Sequence, residues 1–178
     1  MPRVQELRAA VNAYKFLREG SIGPFTGYRW EPGRWVEADA AAPCEIGVHA
    51  CRLDDLPFWT NDELWAIELD GEILTIGRKV VAPRGRLLRP VETWTHATAR
   101  RFGQEAAGRA RALADAMPGD KTLRGYAGDA EQQAHAGRAH TASFMAAVAA
   151  EHAGGPPGRE AERAAQADWF RRLLGAAP

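Results

Sequence analysis

The sequence predicts an α+β fold: a small mixed, mostly antiparallel sheet domain over residues 1–94, followed by a helical half over 95–178 packed on it. Three observations carry this. Short apolar or alternating runs bounded by Gly, Pro, Asn and Asp fill the first half. Asp70-Gly71 stands between two such runs as a hairpin signal. At Trp94 the composition changes, and from Thr95 the chain is rich in Ala, Arg and Gly with almost no β-branched runs.

Taken in order, residues 1–12 place Val4, Leu7, Arg8 and Val11 at helical spacing. Residues 13–17 read as the first strand, with Tyr14 and Phe16 on one face. A turn-rich segment, 20–33, carries Pro24, Gly27 and Pro32 and the aromatics Phe25, Tyr28 and Trp30. Loop aromatics of this kind cap a core edge or stack on a ligand. Residues 34–37 form a short strand and 38–43 a loop. In 48–51, period-two alternation puts His49 and Cys51 on one face, Val48 and Ala50 on the other. Asp54 and Asp55 open a helical turn closed by Phe58 and Trp59, because carboxylates suit a helix start. The apolar run 64–69 is the clearest strand.

Two hairpins are expected next: 64–69 returning as 72–76 around Asp70-Gly71, and 79–82 paired with 86–91 around Pro83-Arg84-Gly85. Helices are expected near 95–116, 129–153 and 157–174. Pro118-Gly119-Asp120 and the run Gly154-Gly155-Pro156-Pro157-Gly158 separate them. The last helix places Trp169, Phe170, Leu173 and Leu174 on one face, and the central one offers Phe144, Met145, Val148 and many alanines.

The 178 residues carry 23 basic and 23 acidic side chains, balanced in both halves, so no global field favours nucleic acid or an anionic membrane. Arg3, Glu6 and Arg8 interrupt any leader-like apolar run, and no stretch of about 18 apolar residues occurs. The expected location is the cytoplasm, where Cys44 and Cys51 are reduced.

The densest chemistry lies in Cys44-x4-His49-x-Cys51. Two thiolates and an imidazole suit zinc, with Asp54, Asp55 or His96 as a fourth ligand, but the spacing lacks a C-x2-C pair and no metal is assigned. The same residues suit a Cys–His nucleophile, in which His49 or His96 lowers a thiol pKa. They also suit plain packing of reduced thiols at a strand. The candidate catalytic residues are His49, Cys51 and Asp54; the candidate binding residues are Tyr28, Trp30 and Arg84. Arg84-Gly85-Arg86 with Arg89 could clamp a phosphate or carboxylate, and Arg100, Arg101, Arg109 and Arg111 form a basic helix face suited to surface ion pairs. His135 and His140, five apart, lie about 140° apart around a helix and share no face. They, and His152 at an expected helix end, read as solvated or capping groups. No P-loop, GxGxxG, GxSxG or HExxH pattern occurs, and the cofactor is unknown.

Tyr14-Lys15-Phe16-Leu17, Gly23-Pro24-Phe25-Thr26-Gly27, Trp30 with Gly33, Pro43-Cys44, Gly47-Val48-His49-Ala50-Cys51 and Leu64-Trp65-Ala66-Ile67-Glu68-Leu69-Asp70-Gly71-Glu72 resemble a group of uncharacterised, mainly actinobacterial proteins. The resemblance covers about residues 13–94 and brings no activity with it. The order of elements is also similar to ADP-ribosyltransferase-like folds. That likeness implies a cleft between two small sheets cradling NAD, with an acidic residue beside the reacting sugar. The chain lacks the Arg-Gly or His-Gly expected on the first strand and the Ser-Thr-Ser that follows. The expected function is a binding or accessory module for a protein partner or a small ligand. The alternative is an enzyme with a site around Cys44, His49 and Cys51. In the ligand case the helices merely cover the sheet; in the partner case Phe144 and Trp169 carry the interface.

Overall fold

The computed structural model describes residues 13–39, 41 and 46–175. The helix expected over 1–12 and the cysteine Cys44 lie outside the described residues. Those described form antiparallel sheets followed by helices packed on them, an α+β arrangement.

The first sheet contains β1 (Ala13–Leu17), β2 (Val36–Glu37), β4 (Glu63–Asp70) and β7 (Arg84–Pro90), in the order β1-β4-β7-β2. The second contains β3 (Val48–Ala50), β5 (Leu74–Ile76) and β6 (Lys79–Ala82), in the order β3-β6-β5. A six-residue 3-10 turn, Leu53–Phe58, lies between β3 and β4 where the sequence places a helical turn. Every strand pairing among the described residues is antiparallel.

Neither expected hairpin forms. A strand has two edges, and those of β4 are taken by β1 and β7; the chain after Gly71 leaves for the second sheet, where β5 pairs with β6. Gly71 has φ 92, and a Cβ there would run into the Pro83 ring. Pro83 alone separates β6 from β7. One residue cannot reverse a chain into a hairpin, which needs a loop of about two residues or more, so β6 runs on into the first sheet as β7. The hairpin that does form joins β5 to β6 through Gly77 and Arg78, with Gly77 at φ 54.

Three layers result. Val48, Ala50 and Val80 of the second sheet pack with Ala13, Leu17, Trp65, Ile67 and Leu87 of the first. The opposite face of the first sheet, through Phe16 and Leu64, meets Phe102, Trp169 and Phe170 of the helices. The alternation along β1 and β4 thus feeds two cores at once. Gly85 permits the sheets to approach: a Cβ there would lie 2.8 Å from Val48 Cγ1 and 3.0 Å from the Glu68 carbonyl.

The helices are α1 (His96–Ala116), α2 (Lys121–His135) and α3 (Ala139–Leu174). Thr95 and Thr98 close a capping box on α1. The second helix begins well before the expected residue 129, because Asp120 caps it by accepting from the Leu123 amide. Gly125 and Gly128 weaken its local signal, at about 1 kcal/mol each, while Leu123, Ala127, Ala130 and Ala134 bury its inner face. Gly137, at φ 75, ends it. The expected break near Gly154–Gly158 is a kink within α3, where Gly155 takes the non-helical φ 65 before two prolines. The alanines of all three helices form a core of their own, thin in volume but closely packed.

Candidate functional site

Among the described residues the two sheets meet at a bridge in which Tyr14 and Cys51 exchange backbone hydrogen bonds of 2.8 Å. Beside it the edge strands β1 and β3 border a cavity of about 910 Å³, a size suited to a small molecule. Its wall includes Tyr14, Lys15 and Phe16 from β1 and the run from Gly47 to Cys51.

The remaining walls are built by turns. Glu63 accepts from the Gly20 amide at 2.8 Å, the Ser21 hydroxyl at 2.9 Å and Trp65 Nε1 at 2.9 Å, which ties the loop after β1 to β4. From that anchored loop the Ser21 carbonyl accepts from the Trp30 amide at 2.9 Å. Trp30 is thereby set over Lys15, whose ammonium lies 4.9 Å from the ring centre. The Gly23–Gly27 turn is closed by its own backbone bonds and holds Phe25 at the cavity mouth, 85% exposed. Tyr28 packs edge-on against Trp30 at 5.6 Å. Opposite, the 3-10 turn brings Phe58 and Trp59 to the wall, and Lys79 Nζ stands 4.8 Å from the Trp59 ring.

The cavity is cationic. Its described lining holds Lys15, Lys79, His49 and His140 and no Asp or Glu. Lys15 Nζ donates to the His49 carbonyl at 2.6 Å. Burial pushes its pKa down to about 8, partly offset by the neighbouring Cys51 sulfur. His49 Nδ1 donates to the Gly47 carbonyl at 3.1 Å. Desolvation lowers the His49 pKa; the Gly47 bond opposes this, and Lys15 and Lys79 reinforce it.

Of the residues the sequence singles out, His49, Cys51, Tyr28 and Trp30 all line this cavity. Two do not. Asp54 is an exposed group paired with Arg171 of α3, outside the cavity. Arg84 stacks 4.2 Å from the Trp35 ring and pairs with Glu37 and Asp70, so its charge is already matched. Arg86, likewise, donates to Glu68 at 2.7 Å. The buried Cys51 thiol donates to the Tyr14 carbonyl at 3.5 Å, and burial raises its pKa to about 12. It stays protonated, which is opposite to what a nucleophile or zinc ligand requires. Among the described residues no group of three or more His, Cys, Asp or Glu could hold a metal.

His140 is the residue that sequence spacing passed over. It stands near the start of α3, lines the cavity, and places Nδ1 3.0 Å from the Thr60 hydroxyl. The helices therefore do more than cover the sheet. Trp169, proposed as an interface residue, is buried at 4% exposure, whereas Phe144 is exposed.

These groups give stability a definite pH dependence. The ordinary lysine value is 10.5, so between about 8 and 10.5 the unfolded chain holds more protons and Lys15 makes stability rise with pH. Cys51 acts oppositely from about 9 upward, since the folded thiol keeps its proton longer. We expect stability to increase from pH 8 to 9 in urea titrations and the increase to vanish in Lys15→Met. An equal increase in both proteins would refute the assignment.

Comparison with protein-family models, curated proteins and solved structures finds no match. Fold and cavity define the chain by themselves: two antiparallel sheets with a basic, aromatic-walled cleft beside their seam, to which the helical half adds His140.

Proposed function

We propose that the chain is a binding module for a small anionic ligand with a planar aromatic portion, held in the cavity beside β1 and β3. The observation that carries this reading is the lining itself. Trp30, Tyr28, Phe58 and Trp59 offer ring faces, Lys15 and Lys79 offer ammonium groups, and no carboxylate stands among the described lining residues to repel an anion. A buried ammonium in a poorly hydrated wall interacts with an anion more strongly than one in bulk water. The balanced charge of the chain as a whole matches a local site better than a nucleic-acid or membrane surface. No helix among the described residues is long and apolar enough to cross a membrane. We place the module in the cytoplasm, with its thiols reduced.

Naphthalene-1-sulfonate tests this, with neutral naphthalene-1-sulfonamide as its uncharged counterpart. The sulfonate should quench the fluorescence of the cavity tryptophans and bind more tightly than the sulfonamide. Lys15→Gln should weaken sulfonate binding about tenfold, the worth of one charge-assisted hydrogen bond, and leave the sulfonamide unaffected. Affinity should fall as pH passes about 8, where Lys15 loses its proton. Equal binding of the two compounds, or no effect of Lys15→Gln, would sink the proposal.

A second reading, an ADP-ribosyltransferase-like enzyme, is favoured by the position of the cavity at the seam of two small sheets. The acidic residue such chemistry needs is not among the described lining residues. Release of nicotinamide from NAD incubated with the chain would move the assignment to that class.

A further inference from the structure

We infer that the cavity has an anion subsite at the seam between the two halves of the chain, made by Thr60 and His140. This rests on the small-anion reading above and adds where the anionic group sits and which residues of the helical half hold it. Thr60 follows the 3-10 turn and is buried at 5% exposure; His140 comes from the first turn of α3, 80 residues away. Both line the cavity, with Nδ1 and Oγ1 3.0 Å apart.

Cationic side chains of α3 and of the β5–β6 turn pack against Phe58 and Trp59, the rings of this wall. From α3, Arg163 is 7% exposed and sets its guanidinium 4.5 Å from the centre of the Phe58 ring. It donates to the Pro57 carbonyl at 3.3 Å and to Gln166 at 2.7 Å, while its buried Nε has no hydrogen-bond partner. From the β5–β6 turn, Arg78 places its guanidinium 3.7 Å from the same ring. Lys79 stands over Trp59 in the same wall. The carboxylates of the 3-10 turn and of the neighbouring stretch of α3 that face inward are already used. Asp55 pairs with Arg52 and Arg78, and Glu162 accepts from Arg109 and from Gln166.

An anion entering here meets a pair of groups that can change roles. Desolvation, with Arg163 nearby, holds the His140 pKa below its ordinary 6.5, so the ring is neutral at pH 7. An incoming negative charge favours the protonated ring. On taking a proton from solvent, His140 Nδ1–H donates to Thr60 Oγ1, and the hydroxyl hydrogen becomes free to donate to the anion. Binding at this subsite is therefore coupled to uptake of one proton, whereas the Lys15 contribution is lost in the alkaline range. Two pH limbs result, an alkaline one from Lys15 and an acidic one from His140, and His49, the other histidine of the lining, accounts for whatever acidic rise survives in a His140 variant.

The test is naphthalene-1-sulfonate binding from pH 5 to 9, since the charge of the sulfonate is constant over that range. In the unaltered chain, affinity should rise about tenfold from pH 7.5 to 5.5, the size of one charge-assisted bond. His140→Gln should flatten that acidic limb and keep the alkaline fall. Thr60→Val, which keeps the side-chain volume, should also flatten it, and serves if His140→Gln lowers the thermal midpoint. Acidic limbs unchanged in both variants, with binding still dependent on Lys15, would overturn the seam subsite alone. Loss of the sulfonate-over-sulfonamide preference in the unaltered chain would overturn the cavity reading and the subsite with it.

Discussion

Truncating Phe170 to alanine should remove about 3–5 kcal/mol of unfolding free energy, the usual cost of deleting a buried phenylalanine. The site has little room to relax. Phe170 is 0% exposed, with ring centroids of Phe102, Trp94 and Phe16 at 5.0, 5.2 and 6.1 Å. Those rings come from α1, from the segment before it and from β1, so the cavity left by Phe170 touches both halves of the chain. Domains of this size hold only about 5–15 kcal/mol in total. Urea unfolding followed by tryptophan fluorescence and far-ultraviolet circular dichroism should give one coincident transition, displaced to lower urea. Separate transitions for helix and sheet, or a loss below about 1 kcal/mol, a size expected of surface changes, would show that this aromatic cluster does not join the halves.

The second large effect should come from Glu162→Ala, at about 3 kcal/mol, because removing one member of a buried ionic network strands the others. Glu162 is 7% exposed and accepts from Arg109 Nε and Nη2, each at 2.8 Å. It also accepts from Gln166 Nε2 at 2.6 Å, and Gln166 in turn donates to the Ser143 carbonyl. Arg109 is partly exposed and water can take over its hydration. Arg163 cannot recover in that way: it is almost fully buried, and burial already lowers its pKa to about 10, with Glu162 opposing the shift. The double variant Glu162→Ala with Arg163→Met should lose less than the sum of the two singles, since Gln166 is hydrogen-bonded to both side chains. A double variant as unstable as the sum of the two singles would show that Glu162 and Arg163 are not coupled. The charge of Arg163 also helps hold the His140 pKa down, so Arg163→Met should shift the acidic limb of sulfonate binding.

Much of the fold was legible from residue order. The alternation in 13–17 and 48–51, the apolar run 64–69, the acidic turn at Asp54-Asp55 and the composition break at Trp94 all mark elements that the structure contains. These are local signals, set by backbone propensity and by which side chains share a face. They also drew attention to His49, Cys51, Tyr28 and Trp30, which do meet in one cavity.

Pairing and charge balance were decided only in three dimensions. Asp70-Gly71 has the chemistry of a hairpin turn, yet β4 had no free edge to offer, and edge occupancy is a property of the whole sheet. The segment 121–128 reads poorly as helix because of its glycines, and burial of Leu123 and the alanines outweighs that deficit. Arg84 and Asp54 have the right chemistry for a site and spend it on Asp70, Glu37 and Arg171. Lys15 sits inside a strand pattern and His140 inside a helix pattern, and neither has spacing to mark it. Their role depends on a lowered dielectric and on neighbours 34 and 80 residues away, His49 and Thr60. Sequence periodicity reports what lies within a few residues, whereas desolvation and ion pairing depend on the distance between side chains in the folded chain.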